Sequence, residues 1–334
     1  MIRTQNITDQ FGRVQDYLRI SLTERCNLRC FYCMPENGIT LTEKANLMTH
    51  EEVVYVAKKF VEMGVKKIRL TGGEPLIKKN VEKIIRELAS LPISLGITTN
   101  GILLDKYLDL FKEVHVKDIN ISLDTLNREK FYSITHRDYF DLITSNIEKY
   151  IENGFNIKIN AVLIKGVNDD ELVDFVEYTK NKNISVRFIE FMPFDGNKWD
   201  VSKVVTLDKI LVTIENNFGK EKLIKIKNKR NDTSKNYRIR GYKGSFGIIS
   251  TVSNPFCDSC NRIRLTANGS IKNCLFSSTE TNLLTPLREG KELQKYILQA
   301  MESKFKVRGG MVSNDDIFDE EKFTKNRTMT TIGG

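Results

Sequence analysis

The chain has 334 residues, 40% of them hydrophobic and 28% charged, with a formal net charge of +9. That is the composition of an ordinary globular protein with ample length to bury a core, in one large domain or a large and a small one. No apolar run approaches a membrane span, and Met1 to Gln15 lacks the apolar centre of a secretory signal. The expectation is a reducing, cytoplasmic compartment, where cysteines serve as ligands rather than disulfides.

Strands and helices alternate over the first two thirds. Strands are predicted over Tyr17–Leu22, Lys67–Thr71, Ser94–Thr99, Asp118–Leu123, Asn156–Ile164 and Ser185–Phe191. Helical patterns lie between them over Thr49–Met63, Asn80–Leu91, Leu104–Phe111, Tyr139–Asn153 and Asp169–Lys180. Thr49 followed by Glu51 and Glu52 is a capped helix start, and Gly64 and Gly154 end helices. Alternation of this kind argues for a parallel sheet, and six units suit an incomplete (βα)6 TIM-like barrel, since a closed one needs eight. The Pro, Gly and Asp content of Met192 to Gly196 marks the end of this domain, set at 1–198.

After Trp199 the pattern changes. Short antiparallel strands are predicted over Tyr237–Arg240, Phe246–Ser250, Ile263–Thr266 and Ser270–Phe276, with a hairpin turn at Asn268-Gly269. Helices follow over Leu284–Glu289 and Glu292–Lys304, giving a smaller α+β domain at 199–310. The polar stretch 311–334 is expected to be a flexible tail ending in Gly333-Gly334.

The six cysteines fall into two triplets. Cys26, Cys30 and Cys33 have the spacing C-x-x-x-C-x-x-C, with Tyr32 just before the last. Three thiolates on one loop hold three corners of a 4Fe–4S cube and leave one iron open to a chelating small molecule. The second triplet is Cys257, Cys260 and Cys274. A structural zinc site wants a fourth ligand, and His50, His115 and His136 are all distant in sequence. A second cluster with an open iron is the preferred expectation; zinc with a histidine folded back is the alternative.

Other residues carry chemistry. Thr71-Gly72-Gly73-Glu74-Pro75 ends the second strand, where paired glycines let a ligand approach and free backbone groups could grip an ammonium and a carboxylate. Arg19, Arg69, Lys158 and Arg187 lie inside strands, where apolar residues are the rule. Four cations converging on one cavity would suit a triphosphate, which arginine grips with its planar fork. The net charge fits either a polyanionic ligand or a solvated surface such as 222–230. No helix carries a basic stripe with interleaved aromatics, so no nucleic-acid partner is expected.

The cysteine loop resembles that of the radical S-adenosylmethionine (SAM) superfamily. Nearly the whole chain is similar to the GTP 3′,8-cyclase family of molybdenum cofactor biosynthesis, the family of molybdenum cofactor biosynthesis protein A. The similarity runs through Leu18-Arg19-Ile20-Ser21, Thr23 to Pro35, Lys67 to Leu76, Thr98-Thr99-Asn100-Gly101, Asn120 to Asp124 and Arg187 to Met192. It continues through Phe256 to Leu265 and the closing diglycine. The loop after Pro35 is shorter than usual, and the tail keeps Lys322, Lys325 and Arg327 but fewer basic residues than some relatives.

The resemblance implies an incomplete barrel carrying the SAM cluster, a C-terminal domain carrying a second 4Fe–4S cluster, and GTP between them. It places SAM contacts on Tyr32, Gly73, Ser122 and Met192. It places GTP contacts on Arg19, Arg69, Thr98, Lys158, Arg187, Arg262 and Arg264. The implied reaction takes the 3′ hydrogen of the GTP ribose with a 5′-deoxyadenosyl radical and joins C3′ to C8, giving 3′,8-cyclo-7,8-dihydro-GTP. Implied partners are an electron donor protein and the downstream cyclic pyranopterin monophosphate synthase, with no membrane; a homodimer stays open. No general acid or base is identifiable. The rival readings are a radical SAM peptide-modifying enzyme with an auxiliary cluster and a nucleic-acid-binding protein with structural zinc.

Overall fold

Short apolar runs between polar turns form the strands, and their alternation decides which face meets the helices. The computed structural model describes residues 6–35, 38–313, 316–317, 319 and 326–333. Strands β1 (Tyr17–Ser21), β2 (Lys67–Thr71), β3 (Ser94–Thr99), β4 (Asp118–Ser122), β5 (Asn156–Leu163) and β6 (Ser185–Glu190) pair in parallel in that order. In β5, Ile157, Ile159, Ala161 and Leu163 are buried while Lys158 and Asn160 face the other way. In β6, Val186 and Phe188 alternate with Arg187 in the same manner. The apolar faces share one core with Val53, Val56 and Phe60 of helix His50–Glu62 and with Ile143, Ile147 and Tyr150 of helix Phe140–Glu152. The polar faces are thereby turned to the inside of the barrel.

Helix His50–Glu62 starts with a capping box: Thr49 Oγ1 accepts from the Glu52 amide at 3.2 Å, and Glu52 returns a carboxylate oxygen to the Thr49 amide at 2.7 Å. Two helices were not expected, Arg128–Thr135 and Leu207–Phe218. Each had a sequence signal, since Asn127 and Thr206 cap them and Gly219 ends the second. The stretches 104–111 and 169–180 are broken, a 3₁₀ turn leading into the short helices Leu108–Glu113 and Leu172–Glu177.

The C-terminal strands are β7 (Leu223–Lys225), β8 (Lys235–Ile239), β9 (Ser245–Ile249), β10 (Arg262–Leu265), β11 (Ser270–Lys272) and β12 (Thr281–Asn282). Antiparallel pairing was expected throughout, and it holds for β7 with β8, β8 with β9, β10 with β11 and β11 with β12. However, β9 also pairs in parallel with β6, and β10 in parallel with β1. The result is one twelve-stranded sheet in the order β12-β11-β10-β1-β2-β3-β4-β5-β6-β9-β8-β7. The physical reason lies in the barrel: a six-stranded parallel sheet leaves two unpaired edges, and the C-terminal strands cover both.

The expectation of a flexible tail needs correction for the residues described. Asn326, Thr328, Thr330, Thr331 and Ile332 are buried, and Met329–Ile332 forms a helical turn. Asn326 Nδ2 donates to the Leu275 carbonyl at 2.9 Å. Gly333 lies against the ends of β1 and β2, where a Cβ would meet Thr71 Oγ1 at 2.6 Å and Ser21 Cβ at 2.9 Å. Lys322, Lys325 and Gly334 lie outside the described residues. Among the described residues no helix is long and apolar enough to cross a membrane.

Candidate functional site

The first cysteine triplet follows β1, and its loop is held by the end of β2. The Gly73 amide donates to the Thr23 carbonyl at 2.7 Å and the Glu74 amide to the Arg25 carbonyl at 2.8 Å. A Cβ on Gly73 would sit 2.2 Å from Arg25 O, and one on Gly72, at φ +152°, 2.7 Å from Thr23 O. These glycines are therefore required by the close approach of the cysteine loop itself. The Gly73 and Glu74 amides are thus used within the protein, which bears on the N–H part of the expected grip and not on its carbonyl part.

Glu74 is buried and knits this region together. Its carboxylate accepts from the Leu76 amide at 3.0 Å, Thr99 Oγ1 at 2.8 Å and the Asn100 amide at 2.7 Å. Asn100 Nδ2 then donates to Asn27 Oδ1 at 2.7 Å and reaches Cys26 Sγ at 3.9 Å, while the Leu28 amide reaches the same sulfur at 3.4 Å. Tyr32 donates its hydroxyl to Asp124 Oδ2 at 2.5 Å, and Asp124 Oδ1 accepts from the Val162 amide at 2.8 Å. Asp124 fixes Tyr32 across the mouth at the end of β4, two residues beyond Ser122. Burial pushes Asp124 up to about 6. Burial, with Asp124 contributing, also pushes the Cys30 and Cys33 thiols up.

The barrel interior is cationic. Arg264, Arg19, Arg69 and Gly96 stand side by side across β10, β1, β2 and β3. Gly96 makes room for its neighbour: a Cβ there would lie 2.9 Å from Arg69 Nη2. Arg69 donates Nε to Tyr17 Oη at 2.8 Å and Nη1 to the Ile97 carbonyl at 2.8 Å. Thr98, Asn120 and Lys158 are register partners across β3, β4 and β5, and Asn160 is partnered by Arg187 of β6. Burial, and then the Arg187 charge, lowers the Lys158 pKa; burial, and then Arg69, lowers that of Arg187. Burial would raise Tyr17, but Arg69, Arg19 and Lys67 outweigh it and bring the phenol down to about 7.

Several donors here have no partner among the described residues. Arg187 Nε and Nη2 and Arg264 Nε are buried without a hydrogen-bond partner, and so is the acceptor Asn160 Oδ1. Buried guanidinium donors are costly to leave unmade, so the arrangement fits a polyanion placed among them.

The second triplet sits below β10. Cys257 opens a 3₁₀ turn, and its sulfur accepts from the Arg308 amide at 3.4 Å. Arg13 Nη1 donates to the Cys257 carbonyl at 2.8 Å. Lys304 Nζ reaches Cys260 Sγ at 3.8 Å. Burial would raise the Cys260 thiol, but Lys304 and Arg262 outweigh it and bring the group down to about 6. Arg262 lies over the Phe256 ring, 4.7 Å from its centroid.

One loop joins the two triplets. After β6, Gly196 touches the first cysteine loop, since a Cβ there would lie 2.6 Å from Pro35 Cγ. Met192 in the same loop packs with Cys274 against Val252, Phe276, Met311 and Ile317. Buried Glu190, at the end of β6, holds the segment leading to Cys257: its carboxylate accepts from the Val252 amide at 2.8 Å and the Ser253 amide at 2.9 Å.

Each triplet offers the three-thiol donor set that a cube with one open iron takes. Among the described residues no three Cys, His, Asp or Glu side chains are gathered where one metal ion could sit. The thiols of each triplet are half-buried and still feel one another's charge.

The structure thus brings Arg19, Arg69, Thr98, Lys158, Arg187 and Arg264 to one polar face and sets Arg262 beside the second triplet. Sequence reasoning missed Lys67, whose ammonium lies 5.1 Å from the Tyr17 ring centroid, although it precedes Arg69 by two and so shares its face. It also missed Tyr17, Asn160, Lys304 and Arg308, which no local motif marks.

Comparison with known proteins adds the following. The Radical SAM superfamily model matches residues 20–179 and the Molybdenum Cofactor Synthesis C model residues 184–308. The chain is 46% identical to the mitochondrial GTP 3′,8-cyclase of Arabidopsis thaliana, covering 98% of this chain and 83% of the relative. It is 42% identical to the GTP 3′,8-cyclase of Listeria welshimeri, covering 99% and 100%. It is 44% identical to molybdenum cofactor biosynthesis protein 1 of Dictyostelium discoideum over 98% of this chain but 52% of the relative, so it spans about half the length of that protein. Among solved structures, Streptococcus suis SuiB bound to S-adenosylmethionine aligns with a TM-score of 0.59 at 17% identity, covering 91% of this chain and 67% of the other, a likeness of fold.

Proposed function

The chain belongs to the GTP 3′,8-cyclase family of the radical SAM superfamily, and on that premise we propose that it converts GTP to 3′,8-cyclo-7,8-dihydro-GTP in molybdenum cofactor biosynthesis. The observation that carries this reading is the cationic barrel face, with unpartnered donors on Arg187 and Arg264, lying between two separate cysteine triplets. Residues 1–198 would form the catalytic barrel and 199–310 the domain of the second triplet, and Gly333 lies at the barrel mouth.

Cys26, Cys30 and Cys33 would hold one 4Fe–4S cluster, with Tyr32, Gly73, Ser122 and Met192 around SAM; Cys257, Cys260 and Cys274 would hold a second. When bound, the first cluster and SAM supply the one-electron chemistry that removes a ribose hydrogen. The protein's own residues hold and orient the substrate. Arg19, Arg69, Lys158 and Arg187 neutralise the triphosphate, each charge-assisted contact contributing roughly 1.5–3 kcal/mol. Arg262 and Arg264 bring the base beside the second triplet, and Thr98, on β3 between Arg69 of β2 and Lys158 of β5, offers a hydroxyl. The 192–197 loop, against Pro35, and Gly333, against Thr71 and Ser21, would border the mouth and help to keep water from the reacting groups. An electron donor protein and the enzyme that consumes the cyclised nucleotide are the expected partners.

Metal analysis of anaerobically purified protein tests the cofactor part of this reading. About eight irons and eight sulfides per chain are expected for two cubes. Zinc on the second triplet, or GTP binding no tighter than that of a peptide substrate, would contradict it.

A further inference from the structure

A buried lysine sits on the second triplet and, among the described residues, has no carboxylate bound to it. Lys304 is 2% exposed. Its Nζ donates to Gln15 Oε1 at 2.7 Å, to the Arg262 carbonyl at 3.0 Å and to Cys260 Sγ at 3.8 Å. Three acceptors around one nitrogen match the three hydrogens of an ammonium. Two of those acceptors are neutral oxygens, and the third is a sulfur. The neighbouring carboxylate, Asp9, is taken up by Arg13 Nε at 2.7 Å and Gln15 Nε2 at 3.1 Å. A charge held this far from water needs an opposite charge. The sulfur it touches belongs to a residue that would carry one as a cluster ligand.

The first triplet offers a contrast. Cys26 Sγ accepts from two neutral amides, those of Leu28 and the Asn100 side chain, and the nearby buried charges are carboxylates, Glu74 and Asp124. Each electron that enters a cluster adds one negative charge, so a cation on a ligand sulfur favours the reduced state and a nearby carboxylate opposes it.

We propose that Lys304 is the counter-cation of the second cluster, a positioning residue that acts through Cys260 to set that cluster's reduction potential above the potential of the SAM cluster. The proposal rests on the two-cluster reading above. It assigns a role to a residue that meets its main partner, Gln15, across 289 positions of sequence.

The test is a redox titration of the holoprotein followed by electron paramagnetic resonance, with iron counted in every sample. Iron content of the wild type is read first: absence of a second cluster overturns the two-cluster reading itself, and the proposal with it. With both clusters present, two waves are expected, and the one at higher potential should vanish when Cys257, Cys260 and Cys274 are all replaced by serine. In Lys304→Met, the reduced-to-oxidised ratio of the second cluster at a fixed poise should fall at least tenfold, equivalent to ~59 mV for one electron, while the SAM cluster keeps its wave. Lys304→Arg should restore most of the shift, and Lys304→Gln should not. A wild type whose second cluster is the lower-potential one overturns the proposal, as do unchanged waves in both neutral variants. Should the neutral variants lose the second cluster, its retention in Lys304→Arg supports the proposal and its loss there overturns it.

Discussion

The two cysteine triplets have the same number of thiols and opposite surroundings. Around the first, burial and Asp124 make the thiols poor acids, and the loop is braced by neutral amides and by carboxylates that are themselves buried. Around the second, burial also pushes the Cys257 thiol up, but Lys304 and Arg262 outweigh burial at Cys260 and bring it down to about 6. Thiolate is the form that binds iron, so the first site must lose protons on assembly while part of the second is already prepared. The difference teaches that two triplets with the same thiol count can differ in the charges one layer out, and on the two-cluster proposal those charges would separate the tasks of the clusters. A carboxylate-lined site suits a strongly reducing centre, and a cation-lined site beside an arginine ladder suits contact with an anionic substrate.

The largest effect expected from breaking this comparison comes from the ligands. Cys30→Ala should abolish reductive cleavage of SAM to 5′-deoxyadenosine, with iron falling by about half. Cys260→Ala should also lower iron, yet leave slow SAM cleavage intact while the cyclised nucleotide disappears. Chromatographic assay of deoxyadenosine and product in the two variants would distinguish the sites, and identical profiles would erase the division of labour.

Next in size is the cationic face between them. Arg187→Ala removes donors that have no protein partner, so GTP affinity should weaken about 10- to 100-fold, or roughly 1.5–3 kcal/mol, with SAM affinity unchanged. Isothermal titration with each ligand is the check. A smaller loss, about tenfold, is expected from Gly96→Ala, whose new methyl would press on Arg69 Nη2. The same calorimetry, with circular dichroism to show an intact fold, reads it.

The smallest effect is a pH dependence. The Tyr17 phenol is depressed to about 7 in the folded protein, where burial is outweighed by Arg69, Arg19 and Lys67. Its phenolate thus adds stability that is fully present above the ordinary tyrosine pKa of about 10 and is lost as pH falls through about 7. The same phenolate competes with phosphate for the arginines. GTP affinity should fall by about threefold to tenfold from pH 7 to pH 8.5 in the wild type and change less in Tyr17→Phe. Parallel slopes in the two proteins would remove Tyr17 from the site.

Much of the barrel is legible in the sequence because its information is local. The six βα strands lie within a residue or so of their expected ends, since alternation of apolar and polar residues carries the signal. The cysteine spacings and the strand arginines are legible for the same reason. The attachment of β9 and β10 to the barrel edges is not, because nothing in a short strand names its partner. Gly72 and Gly73 read as a close approach in the sequence, but that the cysteine loop comes so near them does not show in the local pattern. Lys304 and Arg308 look like ordinary surface cations until the fold buries them on Cys260 and Cys257. Gly333 likewise looks like a loose end until it lies against Ser21 and Thr71.

The most direct test of the central claim uses GTP deuterated at the ribose 3′ carbon. Reconstituted protein, SAM and a strong reductant would be mixed without oxygen, and the products read by mass spectrometry. The account predicts one deuterium in the 5′-deoxyadenosine and a cyclised nucleotide formed in step with it. Deoxyadenosine without deuterium, or deuterium transfer with no cyclised nucleotide, would contradict it.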